Sequence, residues 1–133
     1  MRDSKIDHDD RLIFAAGSTI EEGEKAALEM LNESARPTAI IAVNDLVAIG
    51  AGTVLINQGV KIPEEVSVAG FGNILVSEYF RVPLTTVRQP KLRLGYAAME
   101  LMQKLLEGGA PESRRLRAEV IARASTAPPG RIQ

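Results

Sequence analysis

The chain has 133 residues, of which 45% are hydrophobic and 25% are charged, as expected of one globular domain. It contains no cysteine, which excludes disulfide bonds and thiolate chemistry. Its 16 basic and 17 acidic residues leave a formal net charge of −1, too little positive charge for the chain as a whole to hold nucleic acid. No apolar run approaches the ~20 residues of a membrane span, and residues 1–8 lack the apolar core of a secretion signal. We therefore expect a cytoplasmic protein with no membrane partner.

The first predicted element is a short strand at residues 12–16, closed by Gly17, so that residues 1–16 form a lead-in and a first strand. Four side chains of metal-binding type lie in or near that lead-in: Asp7, His8, Asp9 and Asp10. Adjacent residues in a charged, unpatterned segment rarely converge on one ion. We therefore predict a solvated polar run and no metal site.

A helix is predicted next. Thr19 and Glu22 have the spacing of a capping box, with Ser18 and Glu21 as the alternative register. Apolar residues then recur on one stripe to about Asn32, which is typical of an amphipathic helix lying on a sheet.

Residues 38–43 form a continuous apolar or β-branched run after Pro37, which predicts a strand buried on both faces. Asn44 and Asp45 end it, and a helix follows to Gln58-Gly59. Residues 66–70 predict the next strand, so the three elements make a βαβ unit with a parallel sheet. Open α/β sheets bind ligands at such strand-to-helix corners, which makes Asn44 the first candidate for contact with a small polar molecule.

The helix after Asp45 carries almost no charge. Packing on a sheet needs only one apolar stripe, so its remaining apolar side must be covered by a partner subunit or by another part of the same domain. The pattern leaves both explanations open. Residues 74–80 predict a short helix or an interface loop.

The last elements are a strand at residues 84–88, a helix that begins with Pro90 at its first position and runs to about Glu107, and a half-exposed strand at residues 116–122. The apolar face of that helix is broad and needs a sizeable surface to cover it.

We predict that the protein is not an enzyme and uses no cofactor. His8 is the only histidine and lies outside any nucleophile motif, and Gly50 and Gly52 lie within a helix instead of a phosphate-binding loop. Capping and solvation explain the adjacent carboxylates, Glu21-Glu22 and Glu64-Glu65, better than acid–base catalysis does.

Candidate ligand-binding residues follow three predicted strands: Asn44, Gly72, Asn73 and Gln89. Neutral amides are suited to hydrogen-bonding a small ligand. Each also has a structural explanation, since Asn44 can cap a helix, Asn73 can form a turn, and Gln89 can be an exposed linker residue.

Four ordered motifs occur with the order and spacing found in the LacI/GalR transcriptional regulators: residues 37–45 (PTAIIAVND), residues 60–71 (VKIPEEVSVAGF), residues 83–90 (PLTTVRQP) followed by Leu94-Gly95, and residues 123–126 (RAST). The chain resembles the C-terminal part of that family's effector-binding region, over residues 17–128, and residues 129–133 form a tail. The resemblance implies a three-layer α/β/α sandwich with a mainly parallel sheet, a periplasmic-binding-protein-like type I lobe.

The resemblance also implies a function. The effector is a sugar, a nucleoside or a related metabolite, the protein is a homodimer, and operator DNA is bound only through an N-terminal helix-turn-helix domain missing from this chain, which we expect to be a fragment. Many members carry a sugar-binding aspartate after the position of Phe71, where this chain has Gly72. The implied dimer surface comprises Leu46, Val47, Ile49, Val54, Ser77, Tyr79 and Phe80. The alternative function is a fragment of a sugar-type solute-binding protein of a transport system.

Overall fold

In a computed structural model, which describes residues 9–34 and 37–128, helices and strands follow one another along the chain. Their bounds are α1 (Ile20–Asn32), β1 (Ala39–Ile41), α2 (Asp45–Asn57), β2 (Ser67–Ala69), α3 (Val76–Tyr79), β3 (Thr86–Arg88), α4 (Lys91–Leu106) and β4 (Glu119–Ile121). The predictions made for residues 1–8 and for the tail at residues 129–133 lie outside the described residues.

The strands are arranged in the order β1–β2–β3–β4. β1 pairs with β2 in parallel, with Ala39 opposite Ser67, and a parallel bridge between Ala69 and Thr85 joins β2 to β3. β4 runs antiparallel to β3. The predicted βαβ unit and the mainly parallel sheet are therefore confirmed.

A capping box begins α1, in the Thr19/Glu22 register. The Thr19 hydroxyl accepts a hydrogen bond from the Glu22 N–H at 3.3 Å, and the Glu22 carboxylate accepts from the N–H groups of Thr19 at 3.0 Å and Ser18 at 2.7 Å. These backbone bonds, that from Thr19 foremost, lower the pKa of Glu22, because they favour its ionised form. The first turn of α1 is thus satisfied locally.

Helices α1 and α2 approach each other closely through two glycines. A Cβ atom at Gly23 of α1 would lie 2.3 Å from the carbonyl oxygen of Val47, and one at Gly50 of α2 would lie 2.0 Å from that of Ile20. Beneath them, the core contains fully buried Leu55, Val68 and Leu84 together with Met30 and Ala42. The almost uncharged α2 is therefore covered largely within its own domain.

Two predictions about strands were wrong. Residues 10–12 form a 3-10 turn and residues 13–17 are irregular, because no strand of the described chain pairs with this run. β1 is not buried on both faces: Ala42 beside it is buried, but Ile41 is 83% exposed and Val43 is 63% exposed. The layer formed by α1 and α2 covers one face of β1, and the face expected to lie under a second helix layer is open in the described part of the chain.

The α4 helix stands apart from this core. It begins one residue later than predicted, with Pro90 at its N-cap, and none of its residues is buried. Its exposed large apolar side chains are Leu92, Leu94, Tyr96, Met99, Met102, Leu105 and Leu106. The broad apolar face predicted from the sequence exists, and the part of the chain that the structure describes does not cover it.

Candidate functional site at the carboxyl edge of the sheet

The carboxyl ends of β1, β2 and β3 meet at one edge of the sheet, because the three strands run in the same direction. Asn44 follows β1, the pair Gly72-Asn73 follows β2, and Gln89 follows β3. Backbone bonds join the segments: the Asp45 N–H donates to the Phe71 carbonyl oxygen at 3.1 Å, and the Gly72 N–H donates to that of Val87 at 2.9 Å. The four candidate ligand-binding residues therefore lie along one edge.

Asn44 is the N-cap of α2. Its Oδ1 accepts a hydrogen bond from the Val47 N–H at 2.8 Å, and its Nδ2 donates to the Ser18 carbonyl oxygen at 3.0 Å. The structural explanation for this residue is thus correct. A carboxamide has two N–H groups and two acceptor lone pairs, so one donor and one acceptor remain for a further partner.

Gly72 and Asn73 form the turn after β2, and both have positive φ, at 129° and 49°. An L-residue with a side chain rarely adopts the backbone conformation of Gly72, so an aspartate at this position would strain the backbone. The Asn73 N–H donates to the Thr86 hydroxyl at 3.2 Å, which holds the turn against β3.

Asp45 is a buried carboxylate that ties the strand ends together. It is 1% exposed, and its two oxygens accept hydrogen bonds from the Thr86 hydroxyl and, at 2.8 Å, from the Ile74 N–H. Sequence reasoning assigned Asp45 only to the start of the helix. The available signal was an acidic residue directly after an apolar strand, but its two partners lie 29 and 41 residues away along the chain.

Arg123 is a second site residue that sequence reasoning missed. Its Nη2 donates to Asn73 Oδ1 at 2.9 Å, and its Nη1 donates to the Leu84 carbonyl oxygen at 2.7 Å. Buried Ser125 fixes the segment that carries it, since the Ser125 hydroxyl donates to the Val68 carbonyl oxygen at 2.6 Å. The only signal in the sequence was the RAST motif.

Gln89 is half-buried, and its side-chain amide has no hydrogen-bond partner among residues 9–34 and 37–128. No buried side-chain nitrogen or oxygen in that part of the chain lacks a partner, so this amide reaches solvent. It is the most adaptable group of the edge.

The described residues contain no cluster of three or more metal-binding side chains, and Asp9 is engaged locally by Arg11 at 2.6 Å. This contact lowers the pKa of Asp9.

An open hollow of about 560 Å³ lies at the far end of α2, near Ile56, Val60 and Arg81, away from the carboxyl edge. Across the same part of the chain, every helix is too short or too polar to traverse a bilayer.

The predicted dimer surface needs a correction. Val47 is 5% exposed beneath α1, and Ser77 is fully buried with its hydroxyl bonded to the Ile74 carbonyl oxygen, so neither side chain is available to a partner subunit. Tyr79 is 76% exposed. The remaining residues are half-buried: Leu46, Ile49, Val54 and Phe80.

A parallel sheet with a helix layer, and polar groups gathered at its carboxyl edge, defines an α/β domain of the ligand-binding type. The chain belongs to the periplasmic-binding-protein-like domain family, whose model matches residues 1–126. It is 34% identical over 127 residues to the HTH-type transcriptional repressor PurR of Vibrio atlanticus, covering 94% of this chain and 38% of that protein.

Solved structures extend the comparison. A putative LacI transcriptional regulator from Bacillus cereus subsp. cytotoxis matches with a TM-score of 0.84 at 28% identity, covering 95% of this chain and 45% of that chain. The lac repressor dimer bound to operator and the anti-inducer ONPF matches with a TM-score of 0.75 at 28% identity, covering 84% and 39%. The resemblance to LacI-type regulators is confirmed, and the chain spans less than half the length of these relatives.

Proposed function

We propose that this chain is the effector-binding and dimerisation region of a LacI-type DNA-binding transcriptional regulator. The observation that carries the proposal is the gathering of Asn44, Asn73 and Gln89 at one edge of a parallel sheet in a domain similar to PurR. The effector is a small molecule, a sugar, a nucleoside or a related metabolite, held at this edge. Operator DNA is bound by a segment outside this chain, and the protein acts in the cytoplasm without enzymatic activity.

The proposed mechanism is a shift between two conformations. An effector that contacts the carboxyl edge and a second lobe binds the closed arrangement more tightly than the open one, and this difference in affinity biases the equilibrium. The paired subunits transmit the change to the DNA-binding segments. A single lobe supplies only part of the contacts, so effector affinity depends on the intact protein.

Asn44 is the first residue to test. Replacing it with serine keeps an N-cap, because a serine hydroxyl also accepts the Val47 N–H. The change removes the carboxamide nitrogen, and with it the hydrogen bond to the Ser18 carbonyl oxygen and the donor proposed for the ligand. We expect Asn44→Ser to retain the unfolding temperature of the intact protein within a few degrees and to weaken effector binding about tenfold, as one lost hydrogen bond predicts.

The measurement is a thermal-shift screen of sugars, nucleosides and nucleobases on the intact protein, followed by calorimetric titration of each hit. Asn57→Ala, at the exposed far end of α2, is the control. Equal effector affinity of Asn44→Ser and the unchanged protein would remove Asn44 from the site, and the lack of any binding in all three classes would contradict the proposed function.

The dimer surface consists of Leu46, Ile49, Val54, Tyr79 and Phe80, without Val47 and Ser77. Tyr79 stands on α3 beside Leu75 and Val76, which are 75% and 50% exposed. A charge placed in this apolar patch must lose its hydration when two subunits meet, so we expect Tyr79→Asp to convert the dimer to monomer.

Sedimentation velocity of the 133-residue chain at tens of micromolar measures the change from dimer to monomer. Tyr96→Asp on α4 is the matched control, because Tyr96 is the other tyrosine of the chain and is similarly exposed, at 69%. A dimer that survives Tyr79→Asp, or an unchanged protein that is strictly monomeric, would contradict this interface.

The second candidate function is a solute-binding protein of a transport system, which the likeness to periplasmic binding proteins in the family's description favours. The match to a transcriptional repressor favours the regulator. The reading frame upstream of this chain distinguishes the two, since a helix-turn-helix supports the regulator and a secretion signal supports the transporter.

A further inference from the structure

The Asn73–Arg123 pair restricts what the carboxyl edge can offer a ligand. A guanidinium group has five N–H donors and no acceptor. Because Arg123 Nη2 lies 2.9 Å from the Asn73 side chain, the atom that faces it must be the carboxamide oxygen. The orientation of this amide is therefore determined by its partner.

The other end of the carboxamide is free to meet a ligand. Asn73 Nδ2 has no hydrogen-bond partner in residues 9–34 and 37–128. Asn73 is half-buried, and no buried side-chain nitrogen or oxygen there is unpaired, so Nδ2 reaches solvent. The group presented after β2 is thus a donor.

Among the described residues, the carboxyl edge near Asn73 carries no carboxylate that is free to accept a hydrogen bond. A carboxylate would accept protons from ligand hydroxyls, but Gly72 occupies one position with a φ of 129° that disfavours any side chain. The nearby carboxylate of Asp45 is 1% exposed and already accepts from Thr86 and Ile74. Hydroxyl protons of a ligand therefore find no carboxylate here.

Arg123 adds charge to this arrangement. Its two described hydrogen-bond acceptors, the Asn73 side chain and the Leu84 carbonyl group, are both uncharged. A positive guanidinium bonded to the carboxamide oxygen polarises the amide and strengthens the donor at Nδ2.

We propose that Arg123 positions Asn73 as a fixed donor, and that the protein thereby selects effectors bearing a carbonyl oxygen, a carboxylate oxygen or a ring nitrogen at this point over polyhydroxyl ligands such as simple sugars. This inference rests on the proposed function, because it assigns the ligand class of the same edge. Asn73 is the specificity-determining residue, and Arg123 is a positioning residue.

The test uses matched probes on the intact protein. D-galactose and D-galacturonate differ in one group, a hydroxymethyl against a carboxylate, and hypoxanthine supplies uncharged carbonyl and ring-nitrogen acceptors. Calorimetric titration of the unchanged protein should show tighter binding of galacturonate or hypoxanthine than of galactose. Tighter binding of galacturonate indicates a charged acceptor, and tighter binding of hypoxanthine indicates an uncharged one.

Asn73→Asp replaces the amide donor Nδ2 by a carboxylate oxygen, which accepts hydrogen bonds, and keeps the shape of the side chain. The new carboxylate pairs with Arg123, so the fold is retained, while the donor is lost. We expect about tenfold weaker binding of the acceptor probe, and a ratio of acceptor to galactose affinity that falls by at least that factor. Asn57→Asp at the far end of α2 makes the same chemical change away from the edge and should leave the ratio unchanged.

Arg123→Lys separates positioning from a structural role. A lysine retains the charge but lacks the planar fork that bonds Asn73 and Leu84 together, so the Asn73 amide is free to turn and offer its oxygen. A structural role alone lowers the unfolding temperature and leaves the affinity ratio as it was. Positioning also lowers the ratio.

Three outcomes decide the proposal. A ratio that falls in both variants supports it. Tight galactose binding that is insensitive to both variants but weakened in Asn44→Ser would overturn this inference and leave the proposed function standing. Absence of binding by all three probes and by every compound of the wider screen would overturn both.

Discussion

At the scale of single residues, the side chain of Asp45 holds the segments of the carboxyl edge together, a role that the sequence suggested for none of the candidate ligand-binding amides. One carboxylate satisfies a hydroxyl on β3 and a backbone N–H in the turn after β2, and it is almost completely buried. Gly70 leaves room for it, since a Cβ atom there would lie 2.4 Å from Asp45 Oδ1. The turn that carries Asn73 is therefore held in place by a group that no ligand reaches.

Asp45→Ala should destabilise the protein by about 3 kcal/mol, because it leaves the buried Thr86 hydroxyl and the partly buried Ile74 N–H without their acceptor. Asp45→Asn keeps an oxygen for Ile74, and the Thr86 hydroxyl can turn to accept from the new amide, so roughly half that loss is expected. Urea unfolding followed by circular dichroism measures both. Equal midpoints for Asp45→Ala and the unchanged protein would show that the carboxylate does not hold the turn.

At the scale of elements, the contact between α1 and α2 determines how the helix layer sits on the sheet. Gly23 and Gly50 let each helix lie against the backbone of the other. In the sequence, Gly50 drew attention only as part of a glycine pair within a helix. The contact explains that glycine without a ligand: a larger residue would separate the helices and open the core around Ala48 and Leu55, which are both fully buried.

Gly23→Ala and Gly50→Ala should each lower the free energy of unfolding by about 1–3 kcal/mol, the usual cost of overpacking. Gly95→Ala is the matched control, because a Cβ atom at this position in α4 meets nothing within 4 Å. We expect Gly95→Ala to be neutral or to stabilise by about 0.5–1 kcal/mol, since alanine is the better helix former. If all three variants changed the unfolding midpoint alike, the close contact between α1 and α2 would not contribute to the stability of the fold.

At the scale of the whole molecule, the described residues form one well-packed part and one helix, α4, that no other described element covers. The α2 helix has seven buried residues, whereas α4, which is longer, has none. Tertiary packing supplies most of the stability of a helix in water, and an isolated helix of this length is marginal. The open face of β1 and the bare face of α4 both mark surfaces that residues 9–34 and 37–128 leave uncovered.

Hydrogen exchange of the 133-residue chain should therefore show slow exchange in α2 and fast exchange in α4. Mass spectrometry after pepsin digestion resolves the two helices, and α2 serves as the internal standard. Equal protection of α2 and α4 would mean that another surface covers α4 in solution.

Patterns that depend on near neighbours were readable from the sequence. The capping box of α1, the extent of α2 and the apolar face of α4 follow from residues within one or two turns of each other, where helix geometry dictates which side chains meet. The parallel βαβ unit follows from the order strand, helix, strand along the chain. The motifs that resemble LacI/GalR regulators also led to the family, which the comparisons confirm.

The tertiary structure alone decided which of these side chains are available. Val47 and Ser77 have the same apolar or small character as true surface residues, but α1 and the turn at Ile74 bury them. Residues 12–16 have the composition of a strand but pair with no other strand in the described ranges, and β1 has one open face because no described element packs on it. The Asn73–Arg123 bond joins positions 50 residues apart. Burial and long-range hydrogen bonds depend on which elements come together, and local sequence patterns do not contain that information.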